Sequence, residues 1–278
     1  MLRQRLITGV IMAAVVIAFT MLSPQWLVLG VFGSVVVVAS WEWAAFAGLR
    51  TMPSRVVYAL APALVMGLLW GAVTGNEPRT DVVELILLFS VGFWLAAIVF
   101  VVLYPRFAKV WGSRLMLMII GLSVLIPPWV ALALITAMPG GRLLAIYCIA
   151  AIAFADIGAY FAGSHFGGPK LMPAVSPKKT VSGVVGGLLL STVFALVCGL
   201  GAGLPAEQVP GWLLIAFVAA LVSVFGDLLE SMAKRQCGIK DSGSILPGHG
   251  GIFDRVDSLS AGLPFYAIGL SLVGGFWQ

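Results

Sequence analysis

GWLLIAFVAALVSVFGDLLESMAKRQCGIKDSGSILPGHGGIFDRVD occupies residues 211–257, and its two halves demand different solvents. The first half holds an apolar run at about 211–229, long enough to cross a bilayer core as a helix, which takes roughly 17–25 residues. The second, Lys234–Asp257, packs four cations, three aspartates, one histidine and five glycines, and a further apolar run follows at about 261–276. Such alternation reads as helices crossing a membrane, joined by polar loops. It leaves a question: why the densest charge in the chain lies in one glycine-rich loop.

The rest of the chain supports the membrane reading. Of 278 residues, 61% are hydrophobic and 10% charged, with a mean hydropathy of +1.09. Soluble domains carry about a quarter charged residues, so this composition excludes a water-soluble surface. The apolar runs are near-continuous rather than alternating, which favours helices over a barrel. The expected class is all-α and polytopic, with about nine spans: 6–22, 26–47, 56–73, 82–103, 115–138, 141–162, 181–203, 211–229 and 261–276. Turn residues mark the breaks, among them Ser23-Pro24, Met52-Pro53-Ser54, Pro139-Gly140-Gly141 and Val209-Pro210-Gly211. Met1–Met21 has a signal-like look, but no small-residue cleavage site follows it, so it reads as a retained first span. Cys148, Cys198 and Cys237 show no C-x-x-C spacing and imply neither disulfides nor zinc.

The cations orient the chain. With the N-terminus in the cytoplasm and nine alternating spans, 14 of the 16 lysines and arginines fall inside and only Arg79 and Arg142 outside. Expected parts are N-terminal helices over 1–114 and a catalytic region over 115–278 with cytoplasmic loops 163–180 and 230–260.

Ionisable groups at membrane depth are expensive and mark function or pairing. Asp156 in AFADIGAYFAGSHFG, Asp227 and Glu230 in SVFGDLLESMAKR, and Asp254 and Asp257 in FDRVD all fall near the cytoplasmic ends of their spans. Asp227/Glu230 and Asp254/Asp257 are i,i+3 pairs, so each pair shares a face if helical. Carboxylates so gathered repel unless a cation lies between them, and hard divalent ions such as Mg²⁺ take oxygen ligands together with substrate phosphates. The plain alternative is a salt-bridged plug in which these acids neutralise Lys234, Arg235, Lys240 and Arg255, with Asp156 a buried hydrogen-bond anchor. Gly248, Gly250 and Gly251 bracket His249 and allow backbone N–H groups to approach an anion. His249 itself reads equally as a general acid, a phosphate donor or a loop-closing contact. A second basic stretch, GPKLMPAVSPKKTVSG, supplies Ser176, Lys178, Lys179 and Thr180 around Pro177, and Thr180 or Ser182 is placed to cap the next helix. Cations for phosphates, carboxylates for a metal and a lipid-like surround imply metal-dependent phosphate chemistry on a lipid.

Residues Ser231–Asp257 closely resemble the signature of the phosphatidate cytidylyltransferases, the CDP-diacylglycerol synthases. The positions that carry it are Ser231, Lys234, Arg235, Lys240, Asp241, His249, Gly250, Gly251, Asp254, Arg255 and Asp257. FGDLLES at 225–231, SPKKT at 176–180 and ADIGAY at 155–160 resemble further blocks of that family. The likeness covers the C-terminal half at motif level; before residue 150 it rests on length and span pattern, and nothing there identifies an activity.

The resemblance implies that CTP and phosphatidic acid give CDP-diacylglycerol and pyrophosphate with Mg²⁺, of which more than one ion is left open. It implies that Asp227, Asp254 and Asp257 hold the metal, and that Lys234, Arg235, Lys240 and Arg255 bind phosphates. Ser176, Lys178 and Lys179 would close on a phosphate, with Asp156 among the substrate-binding residues. His249, Gly250 and Gly251 would shape a pyrophosphate pocket, and Asp241 would either bind metal or fix the loop. The expected setting is a bacterial-type inner membrane with the site on the cytoplasmic side; membrane lipids are partners, nucleic acid is not, and a homodimer is left open. The rival readings are a CTP-dependent kinase of a polyprenol-type alcohol, a cytidylyltransferase for ether or isoprenoid lipids, and, least favoured, a transporter.

Overall fold

The computed structural model describes residues 2–75, 80–239, 242–243 and 250–273. Among them the chain forms α1 (Leu2–Leu22), α2 (Gln25–Phe46), α3 (Met52–Thr74), α4 (Thr80–Val102), a short α5 (Ala108–Trp111), α6 (Arg114–Ala137), α7 (Gly141–Phe166), α8 (Val181–Gly201), α9 (Val209–Cys237) and α10 (Phe253–Leu272). The only strands among the described residues are β1 (Lys170–Met172) and β2 (Ser176–Thr180), an antiparallel hairpin between α7 and α8. Seven helices, α2–α4 and α6–α9, carry apolar stretches of a length and composition that cross a membrane. Leu64, Leu68, Leu85 and Val57 on their outer faces are all at least 66% exposed, as side chains facing lipid tails are.

Helices begin where the sequence supplies caps. Thr51, Ser113 and Thr180 accept from the backbone N–H three residues on, and so satisfy orphan donors of α3, α6 and α8. The core is tied by buried indoles, since lipid gives helices no hydrophobic reason to associate with one another. Trp43 Nε1 donates to the Leu117 carbonyl at 2.7 Å and Trp129 Nε1 to the Leu29 carbonyl at 2.9 Å, joining α2 to α6. Trp212 Nε1 donates to the Ala195 carbonyl at 2.7 Å and joins α9 to α8. Small residues bring α7 and α8 closest together: a Cβ on Gly186 would fall 2.2 Å from the Ala162 Cβ, and one on Gly187 2.5 Å from the Ala155 carbonyl oxygen.

Two stretches expected as loops are largely structured. Residues 230–237 continue α9 and residues 253–260 open α10, so only 238–252 separates the two helices. Hydropathy marks where a chain enters water, whereas backbone hydrogen bonding carries a helix past that point. α9 runs on because Lys234 and Arg235 suit the negative end of its dipole, and it stops at Gly238 (φ +69°). Likewise α7 extends to Phe166, and Gly167 (φ +61°) turns the chain into the hairpin, whose turn is pinned by the fully buried Val175.

Candidate active site

The C-terminal halves of α7 and α9 meet the starts of α8 and α10, and the hairpin closes over them. Between α7, β2, α8 and α9 lies an open cavity of about 430 Å³, lined by Asp156, Tyr160, Ser164, Lys178, Lys179 and Asp227 among others. Thr180 caps α8 at its wall by accepting from Gly183 N at 3.1 Å, which turns a helix N-terminus toward the cavity. Lys179 Nζ lies 2.8 Å from Asp227 Oδ2 and donates to the Val224 carbonyl at 3.3 Å, so β2 delivers its cation directly to α9. Lys178, its neighbour on the alternate face, is exposed in the cavity wall.

Behind Asp227 the acids converge. Asp227 and Glu230 on α9 and Asp257 on α10 each offer an oxygen, and these oxygens lie within 4.8 Å of one another. Both i,i+3 pairs are indeed helical, which is why each turns its carboxylates to one side. Ser231 Oγ donates to Asp227 Oδ1 at 3.2 Å and Ser258 N to Asp257 Oδ1 at 2.8 Å. Ser258 Oγ donates to Asp156 Oδ1 at 3.4 Å, linking α7 to the same group. Glu230 Oε1 is buried with no hydrogen-bond partner among the described residues, a costly state for a carboxylate oxygen. An orphaned buried oxygen and three converging hard ligands fit a divalent cation.

Asp254 is not among the three converging acids. Its carboxylate accepts from Lys234 Nζ, from Gly251 N at 2.7 Å and from Ser242 N at 3.4 Å. Lys234 also lies 3.0 Å from Glu230 Oε2, so it bridges the cluster to Asp254. The geometric cluster therefore holds Glu230 where the sequence points to Asp254. Arg235 Nε donates to the Val175 carbonyl at 3.2 Å and ties α9 to the hairpin turn, while Arg255 is exposed. Ser176 begins β2 without lining the cavity. Gly250 (φ +84°) and Gly251 lie against Asp254 and the loop start. Lys240, Asp241, Gly248 and His249 lie outside the described residues.

Sequence reasoning missed Tyr160 and Ser164 in the cavity wall, and Glu42. The Glu42 carboxylate accepts from Ile252 N at 3.0 Å and Phe253 N at 2.8 Å. Its signal was present: a lone acid within the apolar helix Gln25–Phe46.

Fold and site together define an integral membrane protein in which carboxylates from separate helices, able to hold a metal ion, gather beside a lysine of the hairpin. The chain belongs to the cytidylyltransferase family, whose sequence model matches residues 3–273. It is 39% identical to the phosphatidate cytidylyltransferase of Pseudomonas aeruginosa over 268 residues, 96% of each chain. It is 34% identical to the phosphatidate cytidylyltransferase of Haemophilus influenzae over 283 residues, 96% of this chain and 98% of that protein. The Bacillus subtilis phosphatidate cytidylyltransferase is 44% identical over 126 residues, 45% of this chain and 46% of that protein.

Proposed function

We propose that the protein transfers the cytidylyl group of CTP to phosphatidic acid, giving CDP-diacylglycerol and pyrophosphate for phospholipid synthesis. The site faces the cytoplasm from the inner membrane, and Mg²⁺ is the cofactor. The observation that carries this reading is the meeting of Lys178 and Lys179 with Asp227 at the edge of the Asp227–Glu230–Asp257 cluster. Two relatives named for the activity, each matching 96% of the chain, support the choice of substrates.

In this reaction a phosphatidate oxygen attacks the α-phosphorus of CTP, one P–O bond forms, and the bond to pyrophosphate breaks in line. The lipid phosphate is ionised near neutral pH, so no strong base is needed; the obstacle is repulsion between two polyanions. A divalent ion, when bound, would supply charge neutralisation for the phosphates. Asp227, Glu230 and Asp257 would hold it, with Asp254 keeping Lys234 against Glu230. Lys178 and Lys179 bind a phosphate entering the cavity; Ser176, Lys240, Arg235 and Arg255 are the further phosphate-binding residues that the family resemblance implies. Asp156 lines the same cavity and counts among the substrate-binding residues. His249, Gly250 and Gly251 are the residues the family resemblance assigns to the pyrophosphate pocket, with Asp241 nearby in sequence. Such catalysis is mostly positioning and charge neutralisation, which suits a site of Lys, Arg and Asp rather than of Ser–His pairs.

The product decides between this reading and its rival. Purified protein in micelles with CTP, phosphatidic acid and Mg²⁺ is expected to release pyrophosphate, and to stop when any one is omitted. Release of CDP with a polyprenol-type alcohol instead would assign a kinase.

A further inference from the structure

Glu42 sits in α2, far from the signature in sequence, yet only 3% of it is exposed and its carboxylate is spent on the start of α10. Ile252 N donates to Oε1 at 3.0 Å and Phe253 N to Oε2 at 2.8 Å, and Ser242 Oγ lies 3.4 Å from Oε2. Ile252 is the N-cap position of α10 and has no side-chain oxygen to offer. The first amides of a helix lack intrahelical partners, and leaving them unpaired in a buried setting is costly. A carboxylate reaching in from α2 accepts from two of these amides, and its charge meets the positive end of the helix dipole.

The loop is shaped for that carboxylate. A Cβ on Gly251 would fall 2.6 Å from Glu42 Oε2, and one on Gly243 would fall 2.4 Å from Oε1. The next residues of α2 brace the same junction: the rings of Trp43 and Phe253 meet edge-on at 5.1 Å, and Cys237 Sγ at the end of α9 donates to the Phe46 carbonyl at 3.0 Å. Thus α2 grips both ends of the connection between α9 and α10.

We propose that Glu42 is a positioning residue for the acidic cluster. By fixing the first turn of α10 it sets Asp257, one turn beyond Phe253, against Asp227 and Glu230. The inference rests on the metal reading given under Proposed function. Outer-shell groups that orient ligands typically change metal affinity about 10–100-fold when mutated.

The test compares wild type, Glu42→Gln and Glu42→Asp as full-length protein in detergent. Glutamine keeps the volume but can accept from only one of the two amides; aspartate keeps the charge but falls short by one methylene. In metal-free protein, amide exchange over residues 250–258 is expected to quicken at least about 10-fold in Glu42→Gln. With CTP and phosphatidic acid, the Mg²⁺ concentration for half-maximal pyrophosphate release is expected to rise about 10-fold. The KM for CTP at saturating Mg²⁺ is expected to stay within about two-fold, because Glu42 does not line the cavity. Unchanged exchange and unchanged half-saturation overturn the proposal. So does a lower kcat at an unshifted half-saturation, or failure of both variants to assemble, since either makes Glu42 a support of folding alone. Lack of pyrophosphate release by wild type would count against the proposed function, while the exchange measurement would still judge Glu42.

Discussion

Lys234 shows what single residues contribute. Its ammonium lies 3.0 Å from Glu230 and is paired with Asp254, and 12%, 2% and 15% of the three side chains are exposed. Removing one member of a buried ionic group strands the others, at about 3–5 kcal/mol. Lys234→Ala is therefore predicted to destabilise the protein by about 3 kcal/mol, read as a lowered thermal midpoint in detergent. Adding Asp254→Asn is predicted to cost less than the sum of the single changes, because the pair is already broken. At this scale the sequence showed which acids share a helical face, since the spacing of Asp227/Glu230 and Asp254/Asp257 fixes that. That Lys234 would pair with both Glu230 and Asp254, and that Glu230 rather than Asp254 would join the cluster, was not legible, because it depends on how α9 and α10 are rotated against each other. Glu42 was legible only as an oddity: its partners are backbone amides some 210 residues away, and amides leave no mark in a sequence.

Elements were read well in their middles and less well at their ends. Each of the nine expected runs falls on a helix, and seven of these helices are long and apolar enough to cross a membrane, where a helix satisfies its own backbone. The ends moved by up to eight residues, from 229 to Cys237 in α9 and from 261 to Phe253 in α10, since amphipathic turns continue the helix beyond the apolar part. The hairpin escaped notice because strands of three and five residues, one carrying Pro177, give no alternating pattern. The α7–α8 contact is the element-level feature most open to test. Gly186→Ala is predicted to force the helices apart and cost about 1–3 kcal/mol, measured as a lower thermal midpoint with weakened activity. Gly201→Ala in the same helix, where a Cβ meets nothing within 4 Å, is predicted to leave both unchanged.

For the whole molecule, the proposed orientation rests on charge. A 14 to 2 split of cations predicts that a reporter fused to the N-terminus lies in the cytoplasm and one at the C-terminus outside. Reporters on the same side would contradict nine spans. The proposed division near residue 114 is bridged in the fold, because α2 hydrogen-bonds to the start of α10 and α6 packs in the same core. Under the Glu42 proposal the N-terminal helices help to shape the site, although no motif in them announced it. The central claim is that carboxylates from two separate helices share one divalent ion. Mn²⁺ binding to nucleotide-free protein, followed by electron paramagnetic resonance, tests it most directly. Asp227→Asn on α9 and Asp257→Asn on α10 are each predicted to weaken binding by about 10-fold or more in folded protein. Binding that is indifferent to both changes would contradict the account.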